Sequence, residues 1–507
     1  MGKVIGWLDD KKIAVLAIVG LVFSTVPFFT IAHYARPTSD DLNHAKRAHA
    51  AWLDSGSFLE VVKAAVTTSN DFYHNLLGEW VAIFFNSFMP EVFVPYSFWI
   101  ACYFFIFCIV ISELVFLKYF LGKILGMSWE YISIISTIII AFTMQYNPNN
   151  YISIYWFTGG TKYILPLPAF LLSLVFVSQF YFTRKARYLV LASFCTFIIG
   201  GSSYSYSLLI VLIFPVLMFL LYKKSKEIMW LLIPYLIGSA CFLIQALAPG
   251  NSNRGSSDVA FPLKDVIQAI FMCIKKELWA PIDYFNRIPL LIVIVILLFC
   301  FGWVGMLKAI KSEKQKIEFC YPFLWVIIVF LINSALNAPY IYSVDFLGVT
   351  NSTTGPMVVE WLFFFLSWPI MIFYVQGWVI TKLLKRNNKK KKAMDIVLNA
   401  DKYRRVIIFP TLLLCLLMLI NYRSYIKDSF AYQTYVYLET GAAAEYKWRI
   451  AEYMELLLDD SVIDVYLNPI NNVQGPIAHW TVTGDENNYV NWSYREFYRK
   501  NIVVIDE

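Results

Sequence analysis

Apolar residues in this chain come in unbroken runs rather than in an alternating or one-faced pattern. Ala14 to Ile31, Phe93 to Ser112 and Ile288 to Leu307 each carry no charge. Each run approaches the roughly 20 residues with which an α-helix crosses a hydrocarbon core. Runs of this kind predict about eleven spans, near 13–33, 93–117, 129–146, 163–183, 188–201, 205–222, 228–247, 288–307, 319–337, 358–383 and 405–421. The first is too long for the core of a signal peptide and no A-x-A-like site follows it, so it reads as a retained span. Between the fifth and sixth spans, Gly200-Gly201-Ser202-Ser203 predicts a tight turn.

The polar residues between the runs fall into two kinds of loop. Lys118 with Lys123, Arg184-Lys185-Arg187, Lys223-Lys224-Lys226, Lys308 to Lys316 and the run from Lys385 to Lys392 mark short basic loops. With the N-terminus inside, all of them fall on the cytoplasmic side, as the positive-inside rule requires. The other side receives the long segments: 34–92, 147–162, 248–287, 338–357 and the tail from 422. The expected organisation is therefore a transmembrane domain over 1–421 and a small extracytoplasmic α/β subdomain over 422–507. In the tail, 430–458 reads as helix, and the β-branched segments 461–467 and 500–505 read as strands.

Composition agrees. The 507 residues are 59% hydrophobic and 15% charged, against roughly 25% charged in soluble domains. The net charge of +7 is then a feature of cytoplasmic loops and lipid contact, not of nucleic-acid binding. Most of the eight cysteines lie within apolar runs, with Cys273 alone placed in a loop, which predicts neither a disulfide framework nor a zinc cluster. No P-loop or G-x-G-x-x-G is present, so chemistry is expected on the outer face. The spans carry few ionisable groups, Glu113 and Glu360 among them, which argues against an ion-driven transporter. Asn333 and Asn337, toward the outer end of the ninth span, can line a cavity or bond between helices.

The first outer loop concentrates the candidate chemistry. Pro37 stops the first span, and Asp40-Asp41 follow at once, with Ser39 or Asp40 placed to cap a helix. Leu42, Ala45, His49 and Leu53 predict a helix over 42–54. Ser57 and Glu60 read as a capping box for a second helix over 58–68, and a third is expected from Asn70 through Trp80 toward Phe88. As interfacial helices these bring Asp40, Asp41, His44, His74 and Glu79 into one loop system. Those residue types can hold a divalent cation, but no spacing among them is diagnostic, which leaves the cofactor open. A carboxylate beside a membrane suits glycosyl transfer, where a general base takes a proton from an acceptor hydroxyl. The departing phosphate then needs a cation, for which Lys162, Arg254 and Arg36 are candidates. Trp156 and Tyr163 stand at the entrance of the fourth span, and Gly159-Gly160 permits a turn or a close backbone approach to a ligand.

These pieces resemble the GT-C superfamily of membrane glycosyltransferases, and more narrowly the bacterial DUF6056 and GtrII-like group. The resemblance rests on Asp40-Asp41-Leu42, Gly78-x-Trp80, Trp156-x-Thr158-Gly159 with Tyr163 and Pro166, Ala248-Pro249-Gly250-Asn251 with Arg254, and Asn491-Trp492 with Tyr498. It implies a GT-C-like helical bundle in a bacterial cytoplasmic membrane. It also implies an inverting transferase that uses a polyprenyl-phosphate-linked sugar and a glycan or lipid acceptor, with Asp41 or Asp40 as base. Arg254, Lys162, Trp156, Tyr163, Asn251, His74, Glu79, Trp80 and His44 are then expected around the substrates. Two positions depart from the pattern: Glu79 stands where a basic residue is expected beside Trp80, and Ser202–Ser207 carries no acid. A lipid-linked sugar flippase or a polysaccharide polymerase is the alternative reading.

Overall fold

The computed structural model describes residues 9–222, 225–254, 263–342, 355–386, 426–470, 475–477 and 481–506, with a few isolated positions between 399 and 420. Twenty α-helices and two strands are used below. They are α1 Asp10–Ala32, α2 Ser39–Ser55, α3 Phe58–Asn75, α4 Trp80–Asn86, α5 Trp99–Leu117, α6 Trp129–Gln145, α7 Asn150–Ile154, α8 Phe157–Tyr163, α9 Pro166–Thr183, α10 Arg187–Gly200, α11 Tyr204–Tyr222, α12 Leu232–Ala246, α13 Leu263–Arg287, α14 Leu290–Lys311, α15 Pro322–Leu336, α16 Ala338–Ile341, α17 Gly355–Arg386, α18 Phe430–Glu439, α19 Ala442–Leu458 and α20 Tyr489–Tyr498, with β1 Asp464–Leu467 and β2 Ile502–Ile505.

Among the described residues, 8 helical segments are long and apolar enough to cross a membrane. Two shorter apolar helices, α6 and α10, accompany them, at positions where spans were expected. The eleventh expected span, 405–421, lies outside the described residues. The architecture is that of an all-α polytopic membrane protein with little sheet. Large apolar side chains such as Phe23, Phe194 and Phe219 stay exposed, as suits a lipid-facing surface.

The polar loops gather at the two ends of the bundle. At one end Lys308 pairs with Asp10 (2.7 Å), Arg184 pairs with Glu227 (2.6 Å), and the amide of Lys316 donates to Ile124 O (2.9 Å). These are the basic loops. The opposite end collects the first loop, α7–α8, the 249–254 turn and the tail.

The helix starts differ from expectation in an instructive way. α2 begins at Ser39 because Thr38, not Ser39 or Asp40, is its N-cap; the Thr38 amide donates to Asp41 Oδ2 at 3.1 Å. At α3, Ser57 makes no side-chain cap bond, and Glu60 pairs forward with Lys63 instead (2.7 Å). α3 runs on to Asn75 through the point near 69 where a break was expected, and the break falls instead before α4, inside the helix expected from Asn70 toward Phe88. Within the break, position 78 must be glycine, because a Cβ there would lie 1.9 Å from the carbonyl oxygen of Gln245. Cys273, expected in a loop, is buried on α13.

The tail helix is two helices, α18 and α19, split at Gly441 with φ +78. β1 and β2 pair in parallel, Asp464 opposite Ile502 through Leu467 opposite Ile505. This pairing returns the chain so that α20 lies along α2. Five contacts along α2 fix it there. Tyr489 bonds Asp40 and Asn43, Lys46 Nζ sits 3.8 Å from the Trp492 ring centroid, His49 stacks on Phe497 at 4.1 Å, and Arg499 pairs with Asp54 at 2.7 Å.

Candidate active site after the first helix

The two adjacent aspartates have opposite surroundings. Asp41 points inward and is fully buried. Its Oδ1 accepts from the Thr158 amide and hydroxyl, both at 2.8 Å, and its Oδ2 accepts from the amides of Thr38 (3.1 Å) and Phe157 (3.4 Å). One carboxylate thus finishes the N-termini of α2 and α8, whose first amides have no partner within their own helices. Burial pushes the Asp41 carboxyl up to about 7, against the pull of these donors.

Asp40, one residue earlier, turns outward and is only half-buried. Its Oδ1 accepts from the phenol of Tyr489 at 2.8 Å, and the Tyr489 oxygen accepts from Asn43 Nδ2 at 2.9 Å. Burial, and then the neighbouring Asp40 charge, push the Tyr489 phenol far up, so it stays a donor.

His44 lies one turn further along α2, buried beside the same Thr158. Its Nδ1 is 3.2 Å from Thr158 Oγ1 and 3.0 Å from Asn86 Nδ2. Asn86 in turn accepts from the hydroxyl of Thr161. Burial pulls the His44 imidazole down to about 4, so it is neutral at pH 7. Next to this network Lys162 Nζ meets Glu79 Oε2 at 2.9 Å, with both side chains about nine-tenths buried. Glu79, which stands where the resemblance led to a basic residue being expected, is therefore the counter-ion of Lys162.

The remaining expected site residues divide. Trp156 and Tyr163 are buried, and the Tyr163 carbonyl accepts from Tyr206 (2.9 Å). Gly159 and Gly160 serve packing, since a Cβ would lie 2.0 Å from Ile152 O and 2.2 Å from the Phe105 ring respectively. Asn251 is a staple: its Oδ1 accepts from the Gly78 amide (3.0 Å) and Tyr204 (2.8 Å), and its Nδ2 donates to Gln245 O (2.9 Å). Trp80 packs against Gly201 and edge-on to Phe197 (5.5 Å). His74 is exposed at the end of α3, bonded among the described residues to its own helix at Asn70 O (2.9 Å), and is not brought to the aspartates. Arg254 ends the 249–254 turn, and its side chain lies outside the described residues.

Arg36 stands between the first span and Asp40. Its Nη1 donates to Ala35 O (2.7 Å) and His33 O (3.3 Å), its buried Nε has no partner among the described residues, and no acid pairs with it there. Around it lie Tyr96, whose ring centroid is 5.9 Å away, and the buried Glu91, whose carboxyl burial pushes up to about 7 while Arg36 draws it back. The aspartates do not suit a divalent cation as a pair, because five donors, the Thr38 hydroxyl among them, occupy the Asp41 oxygens.

No family model matches the chain, and no curated protein matches it.

Three residues that complete the arrangement were not among the expected ones. Asn86 and Thr161 carry no sequence signal, being ordinary polar residues of helices. Tyr489 had an indirect one, two residues before the Asn491-Trp492 pair. Asn491 itself is structural, bridging Thr483 and Asp485.

Proposed function

We propose that this chain is an inverting GT-C-type glycosyltransferase. It moves a sugar from a polyprenyl-phosphate-linked donor to a cell-surface glycan or lipid acceptor on the extracytoplasmic face of a bacterial membrane. One observation carries the reading. The first turn after the first span holds a half-buried carboxylate, Asp40, bonded by Tyr489 and seated on a helix that the buried Asp41 anchors.

In this reading Asp40 takes the proton from the acceptor hydroxyl as the oxygen attacks the anomeric carbon. The bond to the phosphate breaks on the opposite face, and the lipid phosphate leaves with the electron pair. Arg36 is the cation best placed to hold that phosphate, because its guanidinium is spent only on backbone carbonyls among the described residues. Lys162 is already neutralised by Glu79, so its part is to hold α8 against the first loop. Asp41 positions rather than reacts.

The test is transfer in proteoliposomes supplied with polyprenyl-phosphate-linked sugars, backed by mass spectrometry of surface glycans with and without the gene. Wild-type protein forms a new glycosidic bond, and Asp40→Asn, folded to the same degree, does not. Full activity in Asp40→Asn ends this reading. Lipid-linked sugar that crosses the bilayer without forming a bond favours the flippase instead.

A further inference from the structure

A groove of about 420 Å³ lies where α1 ends, between α1, α5 and the tail helix α19. Its lining changes character along α1. Val26 and Phe29 form the lower part, and Val26 is 48% exposed. Below them Val22 and Phe23 continue the exposed apolar face of α1. Phe107 of α5 is exposed too, with its ring centroid 5.4 Å from that of Phe29. Higher up the lining turns polar. His33 Nε2 and the Tyr103 hydroxyl share a hydrogen bond of 2.9 Å, and Tyr34 and Lys447 complete the rim. From Val26 to the end of α1 at Ala32 the rise is only about 9 Å, so both halves lie within reach of one amphiphile.

Lys447 decides the chemistry. It is exposed on α19, and its Nζ stands 5.7 Å from the Tyr34 ring centroid. No acid pairs with it among the described residues, whereas its neighbour Arg449 pairs with Glu452 at 2.9 Å. An unmatched cation therefore crowns a groove whose lower half is apolar and continuous with a lipid-facing surface. Water fills such a lower half poorly, and an acyl chain fills it well. The ammonium calls for a negative group at the other end of the same molecule.

We propose that this groove binds an anionic phospholipid, with an acyl chain against Val26 and Phe29 and the phosphate at Lys447. A zwitterionic lipid fits less well, because its phosphate already has a cation within its own head group. The bound lipid touches α1 of the bundle and α19 of the tail, and so adds a second tie between them besides the packing of α20 on α2. This inference does not rest on the glycosyl-transfer reading.

The test is photocrosslinking of the full chain, with benzoylphenylalanine incorporated at position 26, in bilayers of equal parts phosphatidylglycerol and phosphatidylcholine with matched chains. Crosslinks should favour phosphatidylglycerol about fivefold, the preference one lysine near a membrane surface supplies. Lys447→Gln should bring the ratio close to one. Lys447 is exposed, so this variant should fold as wild type does. Lys63→Gln, at an exposed lysine elsewhere, should leave the ratio unchanged. Inorganic phosphate should not lower it. If the probe at position 26 hinders folding, native mass spectrometry of the unmodified chain decides the point: Lys447→Gln should retain one phosphatidylglycerol fewer than wild type. A wild-type ratio near one overturns the proposal. So does a preference that survives in Lys447→Gln, one that Lys63→Gln removes equally, or one that inorganic phosphate abolishes.

Discussion

The phenol of Tyr489 donates to the carboxylate of Asp40 at 2.8 Å across 449 positions of sequence. The tail therefore touches the loop after α1 at the less buried of the two aspartates. In the proposed reaction this bond orients the base and moderates its charge, while Asn43 holds Tyr489 in turn. Tyr489→Phe should slow sugar transfer about fivefold, the equivalent of roughly 1 kcal/mol for a partly exposed bond to a charged group. Thermal unfolding should not move, since the rest of α20 still packs on α2. A Tyr489→Phe enzyme with wild-type turnover would show the contact to be only a docking bond.

The same geometry separates the two aspartates by experiment. Asp40→Asn should cost activity and leave stability alone. Asp41→Asn should cost stability, because an amide nitrogen then faces donors that had met a carboxylate oxygen. With five donors converging on a fully buried group, about 2–4 kcal/mol is expected. Unfolding curves of the two variants in detergent, compared with their transfer rates, give the contrast. Equal stability for both would mean that Asp41 is not the anchor.

Much of the bundle was legible because the signal is one of length and apolarity, which needs no tertiary information. The segments Asp10–Ala32 and Leu290–Lys311 follow directly from it. The strands 464–467 and 502–505 were legible for a similar reason, being β-branched runs bounded by polar turns. What could not be read was set by neighbours distant in sequence. Gly78 is required because the Gln245 carbonyl lies where a side chain would be. The roles of Asp40 and Asp41 were interchangeable in sequence, and only Thr158 and Tyr489, from two other parts of the chain, tell them apart. Glu79 was visible as an acid where a basic residue was expected, but its meaning required Lys162 beside it.

That buried pair makes a prediction of its own. Glu79→Gln leaves the Lys162 ammonium charged and unmatched in a site about nine-tenths buried, at a cost of about 3 kcal/mol. Lys162→Met alone strands Glu79 in the same way. The double variant removes both charges and should recover most of the loss, giving a coupling of about 2 kcal/mol or more. A double-mutant cycle on thermal or denaturant unfolding measures it. Simple additivity of the two losses would show that the charges do not depend on one another.

His44 makes the stability of the site depend on pH with a defined sign. Its ring is buried beside Thr158 and Asn86, and burial pulls it from an ordinary 6.5 down to about 4. Above about pH 6.5 the ring is neutral in both the folded and the unfolded chain, and its contribution is fully present. As pH falls toward 4 the unfolded chain takes up a proton that the folded chain refuses, so stability is lost progressively. The loss levels off once the folded ring is protonated too, at about 3 kcal/mol for a shift of this size. Asp41 has the opposite slope, because its raised carboxyl makes the folded chain hold a proton longer as pH rises toward 7. Total stability against pH therefore mixes the two, and the difference between wild type and His44→Gln isolates the histidine. That difference should fall steadily in favour of the variant from pH 6.5 to 4 and be flat above. Parallel unfolding curves across that window would mean that His44 titrates as it does in water, and so is not held in the Thr158–Asn86 network.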